Sequence, residues 1–165
     1  MLDGVFGVYN SLDCSIMGCV LHFTGDHVDI DALADISPVQ PATVFRRGEP
    51  RSSRPNSRVC VTSGLNFLVS SADCEDFEQQ QDDAIEFLTV HQLDLPKMRQ
   101  FEGVTSASLD FGIAMRNVIS QSDQFQPELI TLMAPLGLAL VLSQYPVGRK
   151  NSKVKQYRRA LRKAI

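Results

Sequence analysis

Between Gly18 and Gly48 the chain carries its clearest structural punctuation, and this stretch limits what the rest can build. An apolar run, Cys19-Val-Leu-His-Phe-Thr24, leads into a turn at Gly25-Asp26-His27. Asp29 stands where an N-cap belongs, ahead of Ile30-Asp-Ala-Leu-Ala-Asp-Ile36, and Ile30, Leu33 and Ala34 share one helical face. Ser37-Pro38 ends the helix, because a residue before proline is pushed out of the helical region. Pro41 then leads to an extended piece, Thr43-Val-Phe45, which runs into Arg46-Arg47-Gly48-Glu49. The unit is strand, short helix, strand. The nearly continuous apolar character of Ser15 to Thr24 predicts a central strand, or one buried on both faces.

The same reading extends along the chain. Val5, Phe6, Val8 and Tyr9 suggest an edge strand or a loosely attached segment within 1–13. Gly48 to Ser57, rich in Pro, Ser and Arg, reads as a mobile loop. Arg58 to Thr62 and Asn66 to Ser70 read as a hairpin or one bent strand around Ser63-Gly64. Asp73 to Gln92 is the long helix, with Phe77, Ala84, Ile85, Leu88 and His91 or Gln92 on its apolar stripe. Pro96 to Phe101 adds a helical turn. Val104 to Ile113 is a strand that points Ala107, Leu109, Phe111 and Ile113 one way. Pro127 opens a helix through Leu136, and Gly137 is its natural C-terminal cap. Leu138 to Leu142 reads as a buried strand ending at Tyr145-Pro146, and Val154 to Ile165 as a basic amphipathic helix. This order predicts an α+β fold: a single mixed, largely antiparallel sheet with helices packed on one face.

A chain of 165 residues is long enough to bury a core without a disulfide or a metal. Residues 1–148 are expected to form one domain and 149–165 a basic tail or helix. No run of about 18 apolar residues exists, so no transmembrane helix is expected. The opening Met-Leu-Asp-Gly-Val-Phe-Gly-Val has an acid where a signal peptide wants Lys or Arg, so the cytoplasm is the expected compartment. Cys14, Cys19, Cys60 and Cys74 then read as reduced thiols. Cys14 and Cys19 have His22 nearby but no second ligand pair, so neither a metal nor another cofactor is expected.

Charge is distributed unevenly. Of the 16 Lys and Arg, eight fall in 149–165 with no acid. The other eight share 1–148 with all 19 Asp and Glu, a formal balance of -11. Seven of those carboxylates, Asp73, Glu75, Asp76, Glu78, Asp82, Asp83 and Glu86, crowd the long helix. The helix dipole favours the first-turn acids but not the later ones. Solubility accounts for them in one reading. In the other they are a docking face, with Asp76, Asp82, Asp83 and Glu86 as the partner-binding residues.

A family resemblance enters on specific residues. Phe23-Thr-Gly25-Asp26, Val28-Asp29, Ala32-Leu33, Pro41, Arg47-Gly48-Glu49 and the closing Leu132-Met-Ala-Pro-Leu-Gly137 with a strand to Tyr145 resemble a widespread bacterial domain-of-unknown-function family. The likeness spans about residues 15–146. The chain departs from that pattern in its Ser/Arg/Pro loop and in having no tryptophan after the Gly-Glu turn. The resemblance implies an α+β domain without an established activity, similar in size and context to small bacterial immunity or toxin-neutralising proteins.

Catalytic signatures are missing from the sequence. There is no nucleophile elbow, phosphate loop or dinucleotide fingerprint. Three histidines, His22, His27 and His91, stand in a strand, a turn and a helix end, with no partner visible at sequence level. The expectation is therefore a non-enzymatic protein-binding domain: an immunity protein that neutralises a basic toxin domain through its acidic face. A toxin nuclease fits as the partner, being basic because it binds phosphates. The alternative is a nucleic-acid-associated module using Arg46, Arg47, Arg51, Arg54 and Arg58 with the basic tail. A small-molecule enzyme at His22 or His27 stands third. Oligomeric state is open at this point.

Overall fold

The computed structural model describes residues 18–146. The segment 1–13, Cys14 and the basic residues 149–165 lie outside that span, as does the helix expected over 154–165.

The first strand, β1 (Cys19–Gly25), sits in the middle of the sheet. Its residues alternate between buried and half-buried, so it is central but covered on one face only. Asp29 caps the next helix, α1 (Ile30–Asp35), by accepting from the Ala32 amide at 3.1 Å. Beyond the prolines lies β2 (Thr43–Phe45), and then β3 (Ser63–Ser70). The long helix α2 (Phe77–Val90) and the short α3 (Leu95–Arg99) lead to β4 (Ser106–Met115). The last helix, α4 (Pro127–Met133), runs through one 3-10 turn (Ala134–Leu136) into β5 (Ala139–Pro146). Gly137 closes that turn at φ 60°, a left-handed conformation that costs a side chain-bearing residue more.

The strand order is β2-β3-β1-β4-β5. β2 with β3, β3 with β1, and β1 with β4 are antiparallel, and only β4 with β5 is parallel. The parallel pair is the one joined by a helical crossover, as a parallel connection requires. This is an α+β fold with one mixed sheet and four α-helices.

One face of the sheet builds the core. Cys19, Leu21 and Phe23 of β1, Leu65 and Phe67 of β3, and Ala107, Leu109, Phe111 and Ile113 of β4 are buried there. Against them the helices bring Leu33, Ala84, Leu88, Met98 and Leu129, all buried. Phe77 and Phe125 pack edge-on to Phe111, with ring centroids 5.7 and 5.5 Å away. The other face carries Val20, His22, Asn66, Leu68, Ser108 and Asp110, none of them fully buried, and no helix of the described residues covers it.

Four local expectations are corrected. Arg58 to Thr62 is not a strand: apart from an isolated bridge between Pro50 and Val59, it has no place in the sheet. The 48–60 stretch is instead a narrow two-legged ribbon, closed by Gly48 N–H to Cys60 C=O, Cys60 N–H to Glu49 C=O and Arg51 N–H to Arg58 C=O, each 2.8 Å. β5 is not a buried strand: Leu140, Val141 and Leu142 are 39%, 37% and 36% exposed, because β5 is the sheet's edge. α2 starts at Phe77 rather than Asp73, since Asp76 is its cap, and its buried positions are Gln80, Gln81, Ala84 and Leu88. The cysteines are not all reduced thiols either. Cys19 and Cys60 are free and buried, but Cys74 is disulfide-bonded.

Candidate interaction surfaces

The acids of α2 divide into two groups. Asp76 is spent on the helix end, where its side chain accepts from the Gln79 amide at 3.3 Å. Asp83 turns inward: it accepts from the Ser70 hydroxyl on β3 and from Gln79 Nε2. Its helical position faces the sheet, and the carboxylate is satisfied there. Glu78, Asp82 and Glu86 are exposed and recur every fourth residue, which aligns them along one side of the helix. At 1.5 Å rise per residue the row is about 12 Å long. Asp82 also accepts from Gln126 Nε2 at 2.8 Å. Among the described residues, no Lys or Arg pairs with any of the three. Of the four acids expected to share one face, then, Asp82 and Glu86 do so, together with Glu78, while Asp76 and Asp83 serve the fold.

What holds this helix in register is a set of amides that periodicity reads as ordinary polar positions. Gln81 Oε1 accepts from the Gln126 amide at 2.7 Å, and its Nε2 donates to the Gln124 carbonyl at 3.2 Å. Gln80 Nε2 donates to the carbonyls of Gly112 at 2.8 Å and Asp73 at 3.1 Å. These contacts tie α2 to β4 and to the segment before α4. Two adjacent glutamines in a helix carry no sequence signal of such a role.

The arginines form the second surface. Arg46 pairs with Asp31 of α1 and is thereby tied to the body. Arg51, Arg54 and Arg58 are exposed on the 48–60 ribbon, where Glu49 is the single acid, and Arg47 is exposed just before it, its N–H donating to Ser63 Oγ. The hydrogen bond from Arg51 N–H to Arg58 C=O sets these two residues across from one another. Like charges facing across a ribbon repel. The turn at its tip is held by Ser52 N–H to Ser57 Oγ at 3.0 Å and by Asn56 at φ 60°.

A third constellation crosses the helix-free face. His22 Nδ1 lies 2.7 Å from Asn66 Oδ1, and His22 Nε2 lies 3.9 Å from Asp110 Oδ2. Ser143 Oγ donates to the same Asp110 oxygen at 3.0 Å. The other oxygen, Asp110 Oδ1, is buried and has no hydrogen-bond partner among the described residues. The order is amide, imidazole, carboxylate, hydroxyl. A nucleophilic serine needs the imidazole as its proton acceptor. Here the serine hydroxyl is committed to the carboxylate, so the row is structural polar packing rather than an activated nucleophile. Beneath it, burial pushes the Cys19 thiol well above its ordinary pKa, and the carboxylates of Asp110 and Asp83 add to that. Cys19 is a neutral core group, not a thiolate nucleophile.

The remaining histidines stand apart. His27 is exposed in the turn after β1, and His91 caps the C-terminus of α2 with its ring 4.6 Å from that of Phe87. Among the described residues, no three His, Cys, Asp or Glu side chains group as metal ligands, and no helix is long and apolar enough to cross a membrane. No family model, curated protein or solved structure matches the chain.

Proposed function

We propose that the chain is a non-enzymatic protein-binding domain that takes up a basic partner on the α2 row of Glu78, Asp82 and Glu86. The observation that carries this reading is the unneutralised row itself. Three carboxylates stand in line and exposed, with no cation beside them among the described residues. Carboxylates at four-residue spacing cost an isolated helix about 0.2–0.5 kcal/mol per pair, a cost that a cationic partner reverses. A row of one sign also speeds encounter with an oppositely charged surface and rejects like-charged ones. A toxin nuclease domain, basic because it must hold phosphates, is the partner class that fits a bacterial immunity protein.

The test is a pull-down from the source cell with the wild-type chain and with Glu78→Lys, Asp82→Lys and Glu86→Lys combined. The wild type retains a basic protein in a salt-sensitive manner. The triple variant, with an unchanged circular dichroism spectrum, loses it. Equal retention by both refutes the acidic-row reading. The proposed compartment is the cytoplasm, against which the Cys74 disulfide argues. A non-reducing gel of chain taken directly from cells decides between them.

A second reading is favoured by one observation, the facing Arg51 and Arg58 on an ordered ribbon. An anion between them would relieve their repulsion, and arginine suits bidentate phosphate contacts. As a nucleic-acid module the chain would bind an oligonucleotide at low salt, with a salt slope that flattens on Arg51→Ala and Arg58→Ala. Absence of binding at low salt removes this reading.

A further inference from the structure

The 48–60 ribbon has one blunted edge and one open edge. Two hydrogen bonds, Arg51 N–H to Arg58 C=O and Cys60 N–H to Glu49 C=O, flank the bridged pair Pro50 and Val59. In antiparallel pairing, two residues flanked in this way turn their own N–H and C=O groups away from each other, to the outside of the ribbon. Pro50 has no N–H to offer, so its edge is blunted. Val59 offers both a donor and an acceptor, and no hydrogen bond among the described residues uses either. This leg is held in place by the ribbon bonds and by Cys60, which is buried. An outward donor and acceptor on a held backbone is a template for one further extended chain.

The side chains say what kind of chain fits. Val59 is 56% exposed and Val61, just past the ribbon leg, is 65% exposed. Alternation puts Arg58 and Cys60 on the side of the leg opposite to Val59, and Arg58 is exposed there. Arg51 lies across from Arg58, and Arg54 stands near the tip, with Glu49 as the ribbon's single acid. An extended chain beside this leg would therefore meet apolar surface on one of its sides and unpaired positive charge on the other.

We propose that the Val59 edge takes up an extended acidic peptide of a partner protein, paired antiparallel, the slightly more stable pairing per residue. One peptide residue exchanges both main-chain bonds with Val59, and its apolar side chain lies beside the valines. The residue after it stands opposite Arg58. A carboxylate there pairs with Arg58 and reaches toward Arg51, which relieves the repulsion between the two arginines. The minimal motif is thus an apolar residue followed by an acid. An oligonucleotide, the ligand of the second reading above, would satisfy the same arginines but brings no peptide backbone to Val59 and leaves the valines in water. The open edge and the valines are what favour the peptide. The acidic row of α2 carries the opposite charge on another element and plays no part here, so each proposal stands or fails without the other.

The experiment is fluorescence anisotropy of the full chain at low salt with a short dye-labelled peptide that alternates glutamate and valine. Its comparators are oligoglutamate of the same length, the alternating peptide N-methylated at its valines, and a single-stranded oligonucleotide. The alternating peptide is expected to bind about tenfold or more tightly than oligoglutamate or the N-methylated form, which lack the apolar side chains and the donating amides respectively. Arg58→Glu, and Val59→Pro, which removes an outward N–H that the ribbon itself does not use, each weaken the alternating peptide about tenfold with an unchanged circular dichroism spectrum. The N-methylated peptide tests the edge without any variant, so a substitution that fails to fold leaves the outcome decided. No binding of the alternating peptide, equal binding of its N-methylated form or of oligoglutamate, or undiminished binding by a folded Arg58→Glu chain overturns the proposal. Binding of the oligonucleotide without the peptide overturns it in favour of the second reading.

Discussion

Gln80 offers the sharpest check on how α2 is anchored. Its side chain is fully buried, and both amide protons are used: one on the Gly112 carbonyl at 2.8 Å, one on the Asp73 carbonyl at 3.1 Å. The amide orientation follows from these partners, since the flipped form would aim an oxygen at two carbonyl oxygens. Gln80→Glu keeps the shape and replaces the donor with a group that accepts when ionised. A protonated carboxyl can restore one of the two bonds, and the charged form restores neither. Burial therefore raises the carboxyl's folded pKa above its unfolded value of about 4.3. Between those two values the folded state holds a proton that the unfolded state has released. Stability then falls as pH rises, by about 1.36 kcal/mol per unit. With a folded pKa at or above 7, the loss at pH 7 reaches about 3.7 kcal/mol, in addition to about 1 kcal/mol for the second bond. Gln80→Met removes both bonds but adds no titrating group, so it costs about 1–3 kcal/mol at every pH. Urea unfolding followed by circular dichroism from pH 4.5 to 8 separates the two. A flat pH profile for Gln80→Glu, or equal costs for both variants at pH 7, would refute the assigned contacts.

Three further outcomes follow from the structure. Gly25→Ala is expected to cost about 3 kcal/mol or more by thermal or urea unfolding, because the added Cβ would stand 1.8 Å from the Gly103 carbonyl oxygen, a backbone atom that cannot swing aside as a flexible side chain would. Asp83→Ala is expected to cost about 1–2 kcal/mol through its lost bonds to Ser70 and Gln79, while Asp82→Ala on the outer row stays within about 0.5 kcal/mol, and denaturant midpoints compare them. Cys19 resists alkylation in the native state. Because its folded pKa is raised, stability is untouched below about pH 8.5 and falls as pH climbs past that value, which unfolding at pH 8 to 10 measures.

Much of this fold was legible wherever punctuation and periodicity agree. The Asp29 cap, the Pro38 stop, the Thr43–Phe45 strand and the Gly137 cap each announce a backbone geometry locally, and each stands where it was expected. The alternation over β4 named Ala107, Leu109, Phe111 and Ile113 correctly, since a half-covered strand must alternate. Misreadings arose where tertiary context outranks local pattern. An apolar run such as Leu138–Leu142 reads the same whether a strand is buried or stranded at an edge, because its environment depends on which strand lies beyond it. Arg58–Thr62 has strand-like alternation, but the sheet position beside β3 is already taken by β2 and β1. Gln80 and Gln81 show no apolar signal and yet are buried, since their partners are carbonyls and amides remote in sequence. Of the candidate acids, helical spacing alone separates the outward Asp82 and Glu86 from the inward Asp83, but which side is outward follows from where the sheet lies.

The placement of β1 has a consequence for synthesis. Among the described residues, the first strand of the sheet to emerge from the ribosome is the one that ends in the middle, and its two neighbours are residues 63–70 and 106–115. At roughly 5–20 residues per second, the second neighbour follows Leu21 by on the order of 5–20 s. Until then Leu21 and Phe23 have only the β3 side to pair with, and the half-built sheet presents an open apolar margin. Such long-range pairing slows folding and exposes the nascent chain to aggregation or to chaperone capture. For this chain the hazardous interval is during translation itself, and slower elongation between β3 and β4 would lengthen it.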